Sequence, residues 1–306
     1  MKELYSCIRI SVLCKWFDVS RQAYYQHECR LAVEVFEHGL LLDEIKSIRE
    51  RHNRIGVRKL QIMLVPFMQE NGIKMGRDAL FDLLSFHGML VRHRKRHIRT
   101  TQSFHWLKKY PNLTIDFIPS QPNQLWVSDI TYWKTAKNDF YISFITDAFS
   151  RKIVGHHLSL SLHAEETIKA LKMALSGWKR EKGANGFDGL IHHSDRGVQY
   201  CSSSYTNLLK YNNISISMTQ SGDPMENAMA ERVNGIIKDE YLLNYQCDTF
   251  EEASKQLKTA VWLYNNERPH GSIGNLTPEY VNNQYNEIQK DSIKRLWKNY
   301  YTRKTA

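Results

Sequence analysis

The chain has 306 residues, 42% of them hydrophobic, and a formal net charge of +10. That length allows two or three domains and a substantial core. No apolar run reaches the length of a bilayer span, so a membrane protein is not expected, and the five scattered cysteines (Cys7, Cys14, Cys29, Cys201, Cys247) contain no C-x-x-C pair, which argues against a zinc knuckle or a disulfide framework.

The N-terminal third carries the charge. Met1–Tyr110 holds 20 Lys and Arg against 11 Asp and Glu, so nine of the ten net positive charges lie there. Such a block is the electrostatic footprint of a nucleic-acid binder. The first residues have no signal-peptide pattern, since charge interrupts Ser6-Cys7-Ile8-Arg9. A cytoplasmic, nucleoid-associated location is expected. Ile10–Phe17 has helical apolar spacing, Asp18-Val19-Ser20 breaks it, and Ser20 can N-cap Arg21–Gln26. Residues 1–30 therefore read as a helix-turn-helix, with Arg21, Gln22 and Tyr24 on the turn that meets base edges. A second helical DNA-binding module is expected over 40–90. Its pieces are Leu41–Arg51, Gly56–Leu64 and Arg77–Leu84, with Pro66 ending the middle helix and Gly72 and Gly76 marking a turn. Arg58, Lys59 and Arg77 would lie near phosphate. A basic linker, 91–110, follows, and Arg92, Arg94, Lys95 and Arg96 in it suit a duplex backbone.

From Gln124 the pattern changes. Trp126–Trp133, Phe140–Asp147 and Lys152–Leu160 read as three antiparallel strands. Ala164–Glu181 is an amphipathic helix, Leu190–Ser194 a strand, Tyr205–Tyr211 a helix and Ile214–Met218 a strand. Pro224–Tyr241 reads as a helix with Asp223 as N-cap and Glu226 at N3. A further helix, Phe250–Asn265, follows, and the core ends near residue 285, before a basic tail over 286–306. The order βββαβαβα is that of the α/β ribonuclease H-like fold, here a core over 120–285 preceded by all-α helix-turn-helix modules.

Three carboxylates stand out in that order. Asp129 lies in the first strand, Asp195 follows the fourth, and Glu231 lies in the next long helix, with 35 residues between it and Asp195. Acidic oxygens from three elements can hold hard divalent cations such as Mg²⁺, or Mn²⁺, and two such ions can clamp an in-line displacement at phosphorus. Glu231 shares a helix face with Asn227, Asn234 and Lys238, whereas Glu226 points elsewhere and has its own role at N3. Lys238 could touch a phosphate or be an exposed helical lysine. Arg196-Gly197 could form a tight turn that offers backbone N–H groups to phosphate. His193 reads as a satisfied strand-end histidine, Asp147 as a turn-capping carboxylate, and Trp126, Tyr132 and Trp133 as core and rim.

These motifs resemble a bacterial insertion-sequence transposase of the IS-three family, OrfB type, with a retroviral-integrase-like (DDE) catalytic core. The resemblance rests on Leu125–Tyr132, His193–Tyr200, Ser217–Thr219 with Gly222-Asp223-Pro224, Asn227-Ala228, Ala230-Glu231, Lys238-Asp239-Glu240, Tyr264–His270 and Thr277–Tyr280. Ile48–His52 and Gly56–Leu60 resemble the helical domain that precedes such a core. Glu226 departs from the aspartate common in the family before Asn-Ala. The resemblance implies that Asp129, Asp195 and Glu231 form the catalytic and metal-binding triad. The expected function is binding of terminal inverted repeats and Mg²⁺-dependent cleavage and strand transfer with two ions. Water would nick the DNA, and the freed 3′-hydroxyl would attack a second phosphodiester without a protein–DNA covalent intermediate. Double-stranded DNA, a second copy of the chain and an upstream-frame protein are the partners this implies. The competing readings are a non-catalytic DNA-binding regulator and a ribonuclease H-like nuclease that cuts without joining.

Overall fold

A computed structural model describes residues 7–92, 106–135, 137–182, 187, 189–220, 227–243 and 245–284. The chain divides into two compact units, residues 1–51 with 56–90, and residues 52–55 with 91–306.

The first unit is helical. Helix α1 (Ile10–Trp16) leads through Asp18, which adopts φ 52°, to α2 (Arg21–Arg51). Ser20 caps α2 as expected, its Oγ accepting from the Ala23 N–H at 3.0 Å. The expected stop after Gln26 does not occur, and α2 runs for 31 residues into the segment read separately as Leu41–Arg51. Nothing between Gln26 and Leu41 breaks it: Gly39 alone costs about 1 kcal/mol, while Leu41, Ile45 and Ile48 anchor the C-terminal half by burial. Helix α3 (Val57–Glu70) contains Pro66 and continues past it, which corrects the expectation that Pro66 ends the helix. Proline removes one backbone donor, and Leu64 and Met68, buried on either side, hold the helix through that loss. Gly72 at φ 68° then closes the helix, and α4 (Arg77–Phe86) packs on α3 through Leu80, Leu83 and Leu84.

The second unit is built on one five-stranded sheet. Strands β1 (Leu125–Lys134), β2 (Asp139–Asp147) and β3 (Ile153–Ser159) form the antiparallel meander. Helix α5 (Ala164–Lys182) crosses to β4 (Ile191–Ser194), which pairs parallel with β1. A short α6 (Val198–Cys201) and α7 (Ser203–Tyr211) lead to β5 (Ser215–Met218), parallel to β4. The spatial order is β3-β2-β1-β4-β5. Helix α8 (Ala228–Ile236) runs on through a π-helical turn at Ile237–Leu242, followed by α9 (Phe250–Asn266) and α10 (Pro278–Asn283). Asp223, Pro224 and Glu226, the expected capping box, lie outside the described residues.

Side chains alternate across the strands and give the sheet two cores. Phe140, Ile142 and Phe144 of β2 join Val233, Ile237, Leu257 and Val261 of α8 and α9 on one face. Trp126 and Ile145 join Leu171, Ala174, Tyr205 and Leu209 of α5 and α7 on the other. Asp129, opposite Phe144 in the register, falls on the α8 side. The Tyr264–His270 segment locks the meander. Tyr264 Oη donates to the Arg151 carbonyl at 3.1 Å, and the Asn265 side chain pairs with both backbone groups of Ile153, at 2.9 and 3.0 Å. Among the described residues no helix is long and apolar enough to cross a membrane.

Candidate active site

The site is assembled by strand register. β1 and β4 run parallel with Ser128 opposite Ser194. The next residue on each side is an aspartate, so Asp129 and Asp195 stand on neighbouring strands, whose axes lie about 4.8 Å apart. Asp195 leaves the strand into a tight turn, where its Oδ1 accepts from the Gly197 N–H at 3.0 Å. That N–H is therefore used by Asp195 itself, and not held out to a phosphate as the sequence suggested. The turn is close-packed: a Cβ at Gly197 would lie 3.0 Å from Asp195 Oδ1 and 3.1 Å from Gln199 Oε1, so a larger residue would push the Asp195 carboxylate aside.

Helix α8 supplies the third carboxylate. Asn227, Glu231 and Asn234 share a face, and the two amides reach β1. Asn227 Nδ2 donates to the Ser128 carbonyl at 3.1 Å, and Asn234 Nδ2 donates to Asp129 Oδ2 at 2.8 Å. Both asparagines are buried. Their Oδ1 atoms are enclosed without a partner among the described residues. Glu231, between them, is exposed. Asn234 thus touches a triad residue and was not singled out for a role in the sequence. The available signal was its position on the Glu231 face.

The electrostatics agree with this placement. Burial pushes the Asp129 carboxyl well above its ordinary range, and the Asp195 and Glu231 charges push it further. The hydrogen bonds from the Ile130 N–H and from Asn234 act in the opposite direction. Three carboxylates that feel one another in a partly desolvated site are a donor set suited to a hard divalent cation. In this structure, among the described residues, no group of three His, Cys, Asp or Glu side chains is gathered closely enough to hold a metal ion. The donor chemistry fits; the closed geometry is not present.

The support around the three carboxylates is a set of buried polar side chains that bond one another and the backbone. Ser128 Oγ lies 2.9 Å from Tyr200 Oη and donates to the Phe144 carbonyl at 3.1 Å. His193 is buried and pairs through Nδ1 with Ser217 Oγ at 2.9 Å, which is the structural role read for it. His192, one position earlier, is held down to about 3 by burial, and its Nε2 lies in hydrogen-bond contact with Tyr205 Oη at 3.0 Å. Asp147 caps its turn, accepting from the Ser150 N–H and Oγ and from the Asn123 N–H, each at 2.6 Å. Trp126 and Trp133 are buried and Tyr132 half-buried, as expected.

Residues expected at DNA are spread over both units. In the first unit, Arg21 and Gln22 are exposed and Tyr24 half-buried on the first turn of α2. Arg58 is exposed and Lys59 half-buried on α3, and Arg77 pairs with its neighbour Asp78 at 2.8 Å. In the second, Arg92 is exposed, Arg196 is half-buried beside Asp195, and Lys238 is half-buried on the π-helical turn. Arg94, Lys95 and Arg96 lie outside the described residues. Glu240, two residues past Lys238, is engaged elsewhere, in a bidentate pair with buried Arg268 at 2.6 Å on both arms.

The strand order, with one aspartate inside the central strand β1, a second just past the adjacent parallel strand β4 and a glutamate on the helix across them, defines an integrase-type core. Two Integrase core domain family models match the chain, over residues 119–224 and 212–278. The chain is 34% identical over 281 residues to the insertion element IS600 uncharacterized 31 kDa protein of Shigella sonnei, covering 90% of this chain and 99% of that protein. It is 30% identical to the transposase for insertion sequence element IS629 of Shigella sonnei, covering 90% and 92%. Transposase InsF for insertion sequence IS3fB of Escherichia coli K12 is 35% identical over 55% of this chain and 57% of its own length. Among solved structures, the HTLV-2 integrase catalytic core domain in complex with magnesium aligns at 22% identity and a TM-score of 0.41, over 53% of this chain and 97% of that one. The chain belongs to the bacterial insertion-sequence transposases that carry an integrase core.

Proposed function

We propose that the chain binds the terminal inverted repeats of its element and catalyses cleavage and strand transfer of DNA at Asp129, Asp195 and Glu231. The observation that carries this reading is the Asp129–Asp195 pair on neighbouring parallel strands, coupled electrostatically to Glu231 on α8. Mg²⁺ or Mn²⁺, probed as two ions, would be held by these carboxylates and would supply Lewis-acid activation and charge neutralisation at the phosphate. The chain's own groups do the rest. Asp195 is oriented by the Gly197 N–H, and Asp129 by the Asn234 amide. Asn234 on Oδ2 and the Ile130 N–H together fix how the Asp129 carboxylate is turned. Arg196 and Lys238 would take phosphates beside the carboxylates. Arg21, Gln22 and Tyr24, with Arg58, Lys59, Arg77 and the basic linker Arg92, Arg94, Lys95 and Arg96, would hold the ends as helix-turn-helix modules and arm. No side-chain nucleophile is required, since water and then a 3′-hydroxyl attack phosphorus. Two ends must meet, so a homo-oligomer is part of the proposal, with an upstream-frame protein as a further partner.

The test is an assay of purified chain with labelled DNA that carries the element's flanking repeats, in Mg²⁺. Joined products that require the repeats support the reading. Cutting without joining and without end preference would make the chain a nuclease, and repeat binding without any cut would make it a regulator.

A further inference from the structure

We propose that Trp106–Tyr110, together with the C-terminal end of α7, forms a binding surface for single-stranded DNA on the β5 side of the sheet. The proposal takes from the preceding reading only that DNA is the substrate.

The segment is fixed in place from one side. Leu107 and Tyr110 pack against the core under α5 and α7. The Pro111 carbonyl accepts from the Met218 N–H at 3.2 Å, and the Leu113 N–H donates to Ser217 Oγ at 2.8 Å. The segment thus runs along β5 at the end where Met218 pairs with Ser194, the residue before Asp195. What it turns outward is aromatic and basic. Trp106 is 93% exposed, more than any other large hydrophobic side chain described. Lys108 and Lys109 are exposed. Lys210, the last lysine of α7, is turned toward the same ring as Lys108: their Nζ atoms lie 5.7 and 5.4 Å from the Tyr110 centroid. Tyr211, next to Lys210, is 84% exposed.

Two features separate this patch from an ordinary solvated surface. None of Lys108, Lys109 and Lys210 forms an ion pair with a described carboxylate, so their charges are uncompensated. The patch also reaches the catalytic end of the sheet electrically. Burial and Asp195 raise the Cys201 thiol, while Lys109 and Arg196 act against them, so Lys109 and Asp195 are felt at one atom. Lysines alone would suit a duplex backbone. Exposed rings have no base face to meet on a duplex, whereas an unpaired strand offers phosphates to the lysines and bases to the rings. A strand freed during cleavage and joining would need such a place.

Binding is read with the full chain in the absence of divalent metal, so failed chemistry leaves the result intact. The probes are a fluorescein-labelled oligo-dT and a hairpin duplex without repeat sequence, followed by anisotropy at several salt concentrations. Trp106→Ala should weaken oligo-dT binding about tenfold with an unchanged salt slope. The Lys108→Gln/Lys109→Gln/Lys210→Gln variant should weaken it at least as much and reduce the salt slope by about 2. Duplex affinity, carried by other residues, should change less than threefold, by the same reasoning. Equal loss for both probes in the lysine variant, with no effect of Trp106→Ala, would overturn the proposal in favour of a duplex track. Unchanged binding of both probes in both variants would remove the surface from DNA binding altogether. All these side chains are exposed or surface-facing, and unchanged melting temperatures would confirm intact folds.

Discussion

Asp129 and Asp195 carry like charge on adjacent strands, and burial at Asp129 strengthens their repulsion. The metal-free chain is therefore destabilised at this candidate site. Asp129→Asn should raise the melting temperature of the metal-free protein at neutral pH by roughly 2–4 °C, the equivalent of about 1 kcal/mol for a chain of this size, while abolishing activity. A lower melting temperature in calorimetry would mean that the charge is compensated in a way this account omits. Asn234 is the second residue to test. It holds Asp129 Oδ2 at 2.8 Å with its own Oδ1 enclosed. Asn234→Ala should reduce joining about 10–100-fold, as loss of a group that orients a metal ligand does, and should raise the Mg²⁺ concentration for half-maximal rate. An unchanged Mg²⁺ profile would make Asn234 a packing residue only. The elements that carry the three carboxylates were legible in the sequence: Asp129 inside a strand, Asp195 just past one and Glu231 in a periodic helix. The Asn234 contact was not, since helical spacing tells which face a residue shares but not which strand atom it meets.

Between elements, β3 comes close to α5 at Gly155. A Cβ on Gly155 would lie 2.3 Å from the Ala170 carbonyl oxygen, a backbone atom that cannot turn away, and 3.0 Å from the Ala174 Cβ. Gly155→Ala should cost about 1–3 kcal/mol through overpacking, seen as a lower urea midpoint with an unchanged slope. An unaltered midpoint would show that the helix can lift off the sheet freely. The meander, the crossover helix and the strands β4 and β5 were all readable from alternation and spacing, while the parallel pairing of β4 with β5 comes from the structure. Helix lengths in the first unit were less so. α2 and α3 continue through Gly39 and Pro66 because burial of Leu41, Ile45, Leu64 and Met68 outweighs local cost, and burial partners are not written in the segment itself. The Tyr264–His270 segment was recognisable as a motif, but its work was hidden. It mends the β3 edge through Asn265 and closes a buried ion pair between Arg268 and Glu240.

The stability of the whole molecule should depend on pH through two desolvated histidines, buried His192 and half-buried His156. His192 and His156 are held down to about 3 and about 4, mainly by burial. Between about pH 6.5 and these values the unfolded chain binds protons that the folded chain does not, so stability rises with pH there by up to about 1.4 kcal/mol per pH unit for each group. Denaturant titrations from pH 7 to 4 should show this loss on acidification, and His192→Gln, which keeps an acceptor for Tyr205, should flatten it. Asp129 acts with the opposite sign, because its raised pKa makes the folded chain bind a proton first. An equal slope in wild type and His192→Gln would remove His192 from the balance.

The central claim is that Asp129, Asp195 and Glu231 act together on DNA. It is tested most directly by strand transfer with Asp129→Asn, Asp195→Asn and Glu231→Gln beside wild type, on substrate carrying the element's repeats, with binding measured on the same samples. The account predicts that each variant binds the DNA as wild type does and gives neither nicked nor joined product in Mg²⁺ or Mn²⁺. Cutting or joining that survives Glu231→Gln would contradict it and move the third carboxylate to Glu226.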